Sequence, residues 1–225
     1  MTMGPTIMPT EARLLRLLTW LSPAFPVGAF GFSHGLETAI REGVVSDVRS
    51  LTGWIAALLE NGSAWTDAVL AKAAWTAVTA EDHVALDEIA ELAEAMAPSL
   101  ERRRETMAQG EAFLTAVAAW SPPPIIRAPY PVALGAAAGA ACLPLEPALM
   151  AWLHAFAANL VSVAVRAVPL GQSDALQVIA ALEPVIIRAA ARAAESTLDD
   201  LGSATLNSDI AAMRHETLDG RLFGS

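Results

Sequence analysis

Ser46-Asp47-Val48-Arg49-Ser50-Leu51-Thr52-Gly53-Trp54-Ile55-Ala56-Ala57-Leu58-Leu59-Glu60-Asn61-Gly62 is the stretch whose reading decides the fold class. Val48, Leu51, Ile55, Leu58 and Leu59 recur at spacings of three and four, so they share one face of an α-helix. Ser46-Asp47 supplies side-chain oxygens ahead of that face, and Asn61-Gly62 supplies a stop behind it. No alternating strand pattern competes with this reading here or elsewhere in the chain.

The same period extends in both directions. Thr10 is placed as a cap before the Leu14, Leu15, Leu17, Leu18 and Leu21 run, and residues 64 to 80 continue the pattern downstream. From Glu81, apolar Leu86, Ile89, Ala93 and Met96 alternate with Glu88, Glu91 and Glu94, an acidic outer face that Pro98 interrupts. Further helices are expected from about Ser99 to Trp120, near 131 to 142, near 146 to 167, and from Ser173 to about Ala194. Pro122-Pro123-Pro124 must end the first of these. The expectation is an all-α, single-domain bundle of about 8 to 10 helices over residues 1–225, with a flexible N-terminus at 1–9 and an irregular C-terminal tail at 203–225.

Composition agrees with helix on helix packing. Of 225 residues, 54% are hydrophobic but only 6% aromatic, so alanine and leucine supply the apolar mass. A formal charge of -10 opposes nucleic-acid binding, which needs a concentrated basic face. Cys142 is the single cysteine and can form no internal disulfide, which leaves the cytoplasm as the expected compartment. No basic start with a leucine-rich core and cleavage site is present, so no signal peptide is expected.

Residues 128 to 145 and 147 to 165 contain no Asp, Glu, Lys or Arg, and each is long enough to span a bilayer. Pro129, Pro131 and Pro144 interrupt the first run, and His154, Asn159 and Ser162 the second. Buried helices of a soluble protein are the better reading, and Gly135 with Gly139 then lets two helices approach closely.

Four segments stand out from this background. Ser22-Pro23-Ala24-Phe25-Pro26-Val27-Gly28-Ala29-Phe30-Gly31-Phe32-Ser33-His34-Gly35-Leu36-Glu37 is too rich in Pro23, Pro26, Gly28 and Gly35 for a regular helix. With Phe25, Phe30 and Phe32 it is also too apolar for an exposed loop, so its own core or a second chain must cover it. In the second, Arg103, Thr106, Gly110, Phe113, Val117 and Trp120 recur on one helical face, which places Arg103 where it needs a partner. Gly110 in that face is best understood if a neighbouring backbone comes close. The third is Val165-Arg166-Ala167-Val168-Pro169-Leu170-Gly171-Gln172-Ser173-Asp174, a break between two long helices with Arg166 in a last turn and Ser173 as a cap.

The fourth is Met213-Arg214-His215-Glu216-Thr217-Leu218-Asp219-Gly220-Arg221-Leu222-Phe223-Gly224-Ser225. A charged and apolar tail without a helical stripe reads as a segment that docks on something. Metal and catalytic patterns are thin. His34, His83, His154 and His215 show no ligand spacing, and no acid, base or nucleophile pairing emerges. His215 beside Glu216 reads as a hydrogen-bonding interface residue rather than a metal ligand.

In combination these segments resemble the urease accessory protein F family over about residues 12 to 225. The resemblance rests on Ser22-Pro23 to Gly28 leading into Ser33-His34-Gly35-Leu36-Glu37, on Glu101-Arg103-Thr106-Gly110, on Arg166 to Gln172, and on Arg214-His215-Glu216 with Arg221-Leu222-Phe223-Gly224-Ser225. It implies an all-helical, non-enzymatic homodimer that bridges a nickel-carrying UreG-like GTPase and a UreD/UreH-like scaffold in the complex delivering nickel to apo-urease. Nickel would pass through transiently, with no resident cofactor or metal. Arg103, Gly110, Arg166, Gln172, Arg214, His215, Glu216, Arg221, Leu222 and Phe223 are then the expected partner-binding residues, with Pro23, Pro26, Gly28, Phe30 and Gly35 as a structural loop. Ala167, Thr106, Gly220 and Gly224 depart from the family pattern, which shifts the expected grip of the tail onto Arg214, Arg221 and Phe223. The second reading is a helical membrane component of a metal transport system.

Overall fold

The computed structural model describes residues 10 to 224 except 169, 216, 217 and 219, and describes Phe30 by its backbone alone. The 1–9 segment and Glu216 therefore lie outside the described residues. Within them the chain forms ten α-helices: α1 Thr10–Trp20, α2 Leu36–Arg41, α3 Val48–Asn61, α4 Ser63–Thr79, α5 His83–Ala95, α6 Leu100–Val117, α7 Tyr130–Ala140, α8 Leu145–Ala167, α9 Gln172–Glu195 and α10 Leu206–His215. No strand forms among the described residues; Phe32 and Gly224 make a single isolated bridge. The all-α expectation holds.

Local chemistry starts most of these helices where expected. The Asp47 carboxylate accepts the Ser50 N–H, and the Ser50 hydroxyl accepts the Asp47 N–H, a reciprocal cap on α3. Asp82 accepts the Ala85 N–H on α5, and Ser99 accepts the Arg102 N–H on α6. The start of α9 differs from the expectation. Gly171 rather than Ser173 is the cap, because Asp174 reaches back to accept the Gly171 N–H. Thr10 is likewise the first residue of α1 rather than its cap.

At the centre is α4, packed against α3, α5, α7, α8 and α9. The closest approach is to α7, where every residue from Pro131 to Gly139 is buried. A Cβ built on Gly135 would lie 2.0 Å from the Ala71 carbonyl oxygen, and one on Gly139 would lie 3.0 Å from that of Trp75. The Gly135–Gly139 pair is therefore a contact between two core helices, as the sequence suggested. Mean hydropathy makes α8 alone among the described helices long and apolar enough to cross a membrane, but 56% of that window is buried inside the fold. It packs along α9 as a core helix does.

Aromatic side chains stitch α1, α6, α7 and α8 together. Trp20 meets Phe113, Phe113 meets Tyr130 and Tyr130 meets Trp152, each edge-on, with centroids 5.7, 5.4 and 6.4 Å apart. By contrast α1 buries Leu17 but leaves Leu14, Leu15 and Leu18 mostly exposed, at 57%, 64% and 61%. The leucine run forms a helix but not a fully buried one.

Candidate partner-docking site

The tail is not irregular from residue 203 onward. Its first half is α10, which packs on α2, and the following residues cross the 31–37 segment. The Ser33 N–H donates to the Gly224 carbonyl at 2.8 Å, and the Gly224 N–H donates to the Gly31 carbonyl at 2.6 Å. Phe223 is buried beneath the Arg166 guanidinium, whose carbon lies 4.5 Å from the ring centroid. Thus the chain's own tail, with α6 and α8, covers much of the apolar Ser22–Glu37 loop.

Glu37 organises this contact from the second position of α2, almost fully buried. Its carboxylate accepts the Leu222 N–H at 3.0 Å and the Phe223 N–H at 3.1 Å. His215 Nε2 lies 3.1 Å from Glu37, and Arg41 Nη2 lies 2.8 Å from it. Burial pushes the Glu37 carboxyl up. The Leu222 N–H, the His215 ring, the Phe223 N–H and Arg41 together outweigh burial, so the carboxyl sits below its ordinary value. His215, fully buried, is also 3.2 Å from Glu101, which in turn pairs with Arg221. Histidine, arginine and backbone N–H groups thus converge on Glu37 and Glu101, one on α2 and one on α6.

Two features of the loop make this possible. Gly35 sits at φ +76°, and a Cβ there would come within 2.8 Å of the Ala212 N on α10. His34, at φ +50°, holds an uncommon backbone conformation for a non-glycine residue. Its ring is buried against Phe156, with Nε2 3.3 Å from Glu105. Burial first, and the Arg102 charge second, hold the His34 ring well below the usual histidine range.

His34 leads into a second buried cluster. Arg102 on α6 contacts Asp67 on α4 at 2.5 Å and Glu105 at 3.0 Å, and Gln109 donates to Glu105 at 2.9 Å. Burial raises the Asp67 carboxyl, and it raises Glu105 to about 7, in both cases against the opposing pull of Arg102. Here the structure corrects the sequence reading. The arginine buried in α6 is Arg102, whereas Arg103 is half-exposed and pairs with Glu94 at 2.5 Å. Thr106, Gly110, Phe113 and Val117 are buried as expected, and the stripe is widened by Arg102, Glu105 and Gln109 on its flank, with Arg103 left outside it. Asp67 pulls Arg102 inward, a partner in a distant helix that spacing within α6 cannot reveal. Arg102, Glu105 and Gln109 stand at spacings of three and four, a signal that was available.

The remaining expected residues are dispersed. Gly110 does mark a close approach, since a Cβ there would lie 2.0 Å from the Ala128 carbonyl oxygen. Nearby, Thr106 accepts the Tyr130 N–H at the start of α7. Arg214 is largely exposed and pairs with Glu42 at 3.1 Å, and Gln172 is exposed at the first position of α9. Leu222 is 68% exposed beside the buried Phe223. In the loop, Pro23 and Pro26 are exposed, and Gly28 takes φ +72° ahead of a short 3₁₀ turn at Ala29–Gly31 that includes Phe30. Among the described residues, no group of three or more His, Cys, Asp or Glu side chains is arranged to hold a metal ion.

Known proteins place this architecture. The sequence profile of the UreF family matches residues 45–183. A urease accessory protein UreF of Mesorhizobium japonicum is 50% identical over 224 residues, covering 98% of this chain and all of the relative. The UreF of Rhodopseudomonas palustris is 48% identical over 100% of this chain and 98% of its own length. UreF 1 of Brucella canis is 52% identical, with 96% of each chain covered. The matches are nearly end to end, so they include the loop, both buried clusters and the tail, and the chain belongs to the UreF family of urease accessory proteins.

Proposed function

We propose that this chain is a non-catalytic adaptor that bridges a UreG-like GTPase and a UreD/UreH-like scaffold in the complex that delivers nickel to apo-urease. The observation that carries the reading is the folded tail. Glu37, Glu101, His215 and Arg221 fix the 220–224 segment against the loop, so that Leu222 projects from a rigid support. A large apolar side chain held outward beside arginines has the composition of an interface anchor. Arg166, over the neighbouring Phe223 ring, Arg214 and Arg221 belong to the segments that the family resemblance singles out, and Arg103, Gly110, Gln172 and Glu216 complete the proposed docking residues.

The protein acts as a homodimer in this reading. Leu14, Leu15 and Leu18 on α1 offer three adjacent exposed leucines, an apolar face that a second copy would cover. Nickel is cargo rather than a resident cofactor, and the assembly works in the cytoplasm. The transport-component alternative is not favoured, because among the described residues the one helix long and apolar enough, α8, is mostly buried in the fold.

Co-purification with the candidate scaffold and GTPase from the same genome tests the reading. Full-length chain should capture the scaffold, and chain truncated after Ala211 should not, while α-helical circular dichroism is retained. Arg221→Ala and Phe223→Ala should each weaken scaffold binding by at least about 1 kcal/mol, roughly fivefold, by calorimetry. Unchanged affinity in both variants, or no capture by folded full-length protein, removes the adaptor assignment.

A further inference from the structure

A cavity of about 260 Å³ lies between the 20–29 segment and α8, and the adaptor reading makes no use of it. Exposed His154 and Ser162 border it, and buried Trp20, Phe25, His34 and Trp152 line it more deeply. An apolar cavity of about 150 Å³ is enough to take up benzene, so this one has room for an aromatic ring with a polar substituent. A mostly apolar lining with a few polar side chains is the usual make-up of small-molecule sites.

The lining favours a neutral occupant. Besides its histidines it contains one carboxylate, Asp67, and one guanidinium, Arg102, and these two pair with each other at 2.5 Å. Burial first, and the Arg102 charge second, keep the His34 ring uncharged. An ion of either sign would therefore give up its water without gaining a free counter-charge. Two lining residues nevertheless carry an unsatisfied polar atom. The Trp20 indole N–H and His34 Nδ1 have no hydrogen-bond partner among the described residues, although Trp20 is only 2% and His34 only 8% exposed. The indole can only donate. His34 Nε2 lies 3.3 Å from Glu105, whose carboxyl is raised to about 7, so above that pH Nε2 holds the ring proton toward the carboxylate and Nδ1 accepts. One group that accepts from Trp20 and donates to His34 would satisfy both atoms.

We propose that this cavity is a binding site for a small neutral aromatic molecule bearing a carboxamide-like group, with the carbonyl accepting from the Trp20 N–H, the amide N–H donating to His34 Nδ1, and the ring against Phe25 and Trp152. This assignment stands apart from the adaptor reading and does not depend on it.

Four probes of nearly one shape separate the contributions: benzamide, acetophenone, which keeps the acceptor and lacks the donor, benzoate as an anion and benzamidinium as a cation. Each is titrated by calorimetry into the full-length chain at pH 8, where Glu105 is a carboxylate. Benzamide should bind saturably, acetophenone at least about fivefold more weakly because a buried acceptor is left unpaired, and both ions at least about tenfold more weakly. Trp20→Phe, which keeps an aromatic wall and removes the N–H, should weaken benzamide at least about threefold, and Ala155→Phe, which fills the cavity from α8, should abolish its binding. Circular dichroism checks both variants; should one fail to fold, the other locates the site and the probe series decides the chemistry. No saturable heat with benzamide, any of the other three probes binding as tightly, or an unchanged titration in folded Trp20→Phe or Ala155→Phe overturns the proposal.

Discussion

Replacing Gly135 by alanine and replacing Gly53 by alanine should move stability in opposite directions, although both residues lie inside helices. A methyl group at either position improves helix propensity by about 1 kcal/mol. At Gly53 a Cβ meets nothing within 4 Å, so that gain stands alone and the variant should be more stable by about 0.5 to 1 kcal/mol. At Gly135 the Cβ would sit 2.0 Å from the Ala71 carbonyl oxygen, 2.8 Å from its carbonyl carbon and 2.9 Å from its Cα. All three are backbone atoms of α4, so no side chain can rotate away, and α7 must move off α4 by more than 1 Å to restore ordinary contact distances near 3.4 Å. That shift opens the interface of the central helix. Overpacking of about 1 to 3 kcal/mol, joined by lost contacts along α7, outweighs the propensity gain. The expected net loss is about 2 kcal/mol, or about 4 to 8 °C in Tm for a chain of this size. Thermal and urea unfolding of the two single variants against the unaltered chain measure both effects. If Gly135→Ala melts at or above the unaltered protein, the argument that glycine is there to admit the Ala71 backbone is wrong.

Three further outcomes follow from the buried charges. Glu105 moves from an ordinary value of 4.5 to about 7 on folding, so its contribution is present below 4.5 and is lost as pH rises through 7. The stability gap between Glu105→Gln and the unaltered chain should therefore change by up to about 3 kcal/mol in favour of the variant between pH 5 and pH 8, and a constant gap would refute this. Glu37 is shifted the other way, so its contribution is present above its ordinary value and disappears as pH falls through the lower folded one. Glu37→Gln should speed hydrogen exchange at Leu222 and Phe223 by tenfold or more at neutral pH, because hydrogen bonds to a charged acceptor contribute about 1.5 to 3 kcal/mol; unaltered exchange would show that the tail is held by other contacts. Arg102→Met should cost about 3 to 5 kcal/mol in urea unfolding by leaving Asp67 and Glu105 without a cation, whereas Arg103→Met, at the surface, should cost less than about 1 kcal/mol.

The sequence by itself determined the longer helices and several of their starts. Asp47 with Ser50 and the Val48 to Leu59 stripe are local signals, readable because a cap and a 3.6-residue period act within a few residues. It also marked Gly110, Gly135 and Gly139 as close approaches, since glycine inside a helix is unfavourable unless something needs the space. What it could not supply were partners far apart in the chain. Arg102 rather than Arg103 is the buried arginine because Asp67 in α4 reaches it across the core, and the spacing within α6 serves either residue almost equally well. The tail read as a segment seeking a surface, yet the surface it meets here is its own loop, because Glu37 on α2 presents a buried carboxylate to the Leu222 and Phe223 N–H groups. Short helices α2 and α10 escaped notice for the same reason. Six and ten residues carry too little propensity to announce themselves, and packing against each other is what makes them helical.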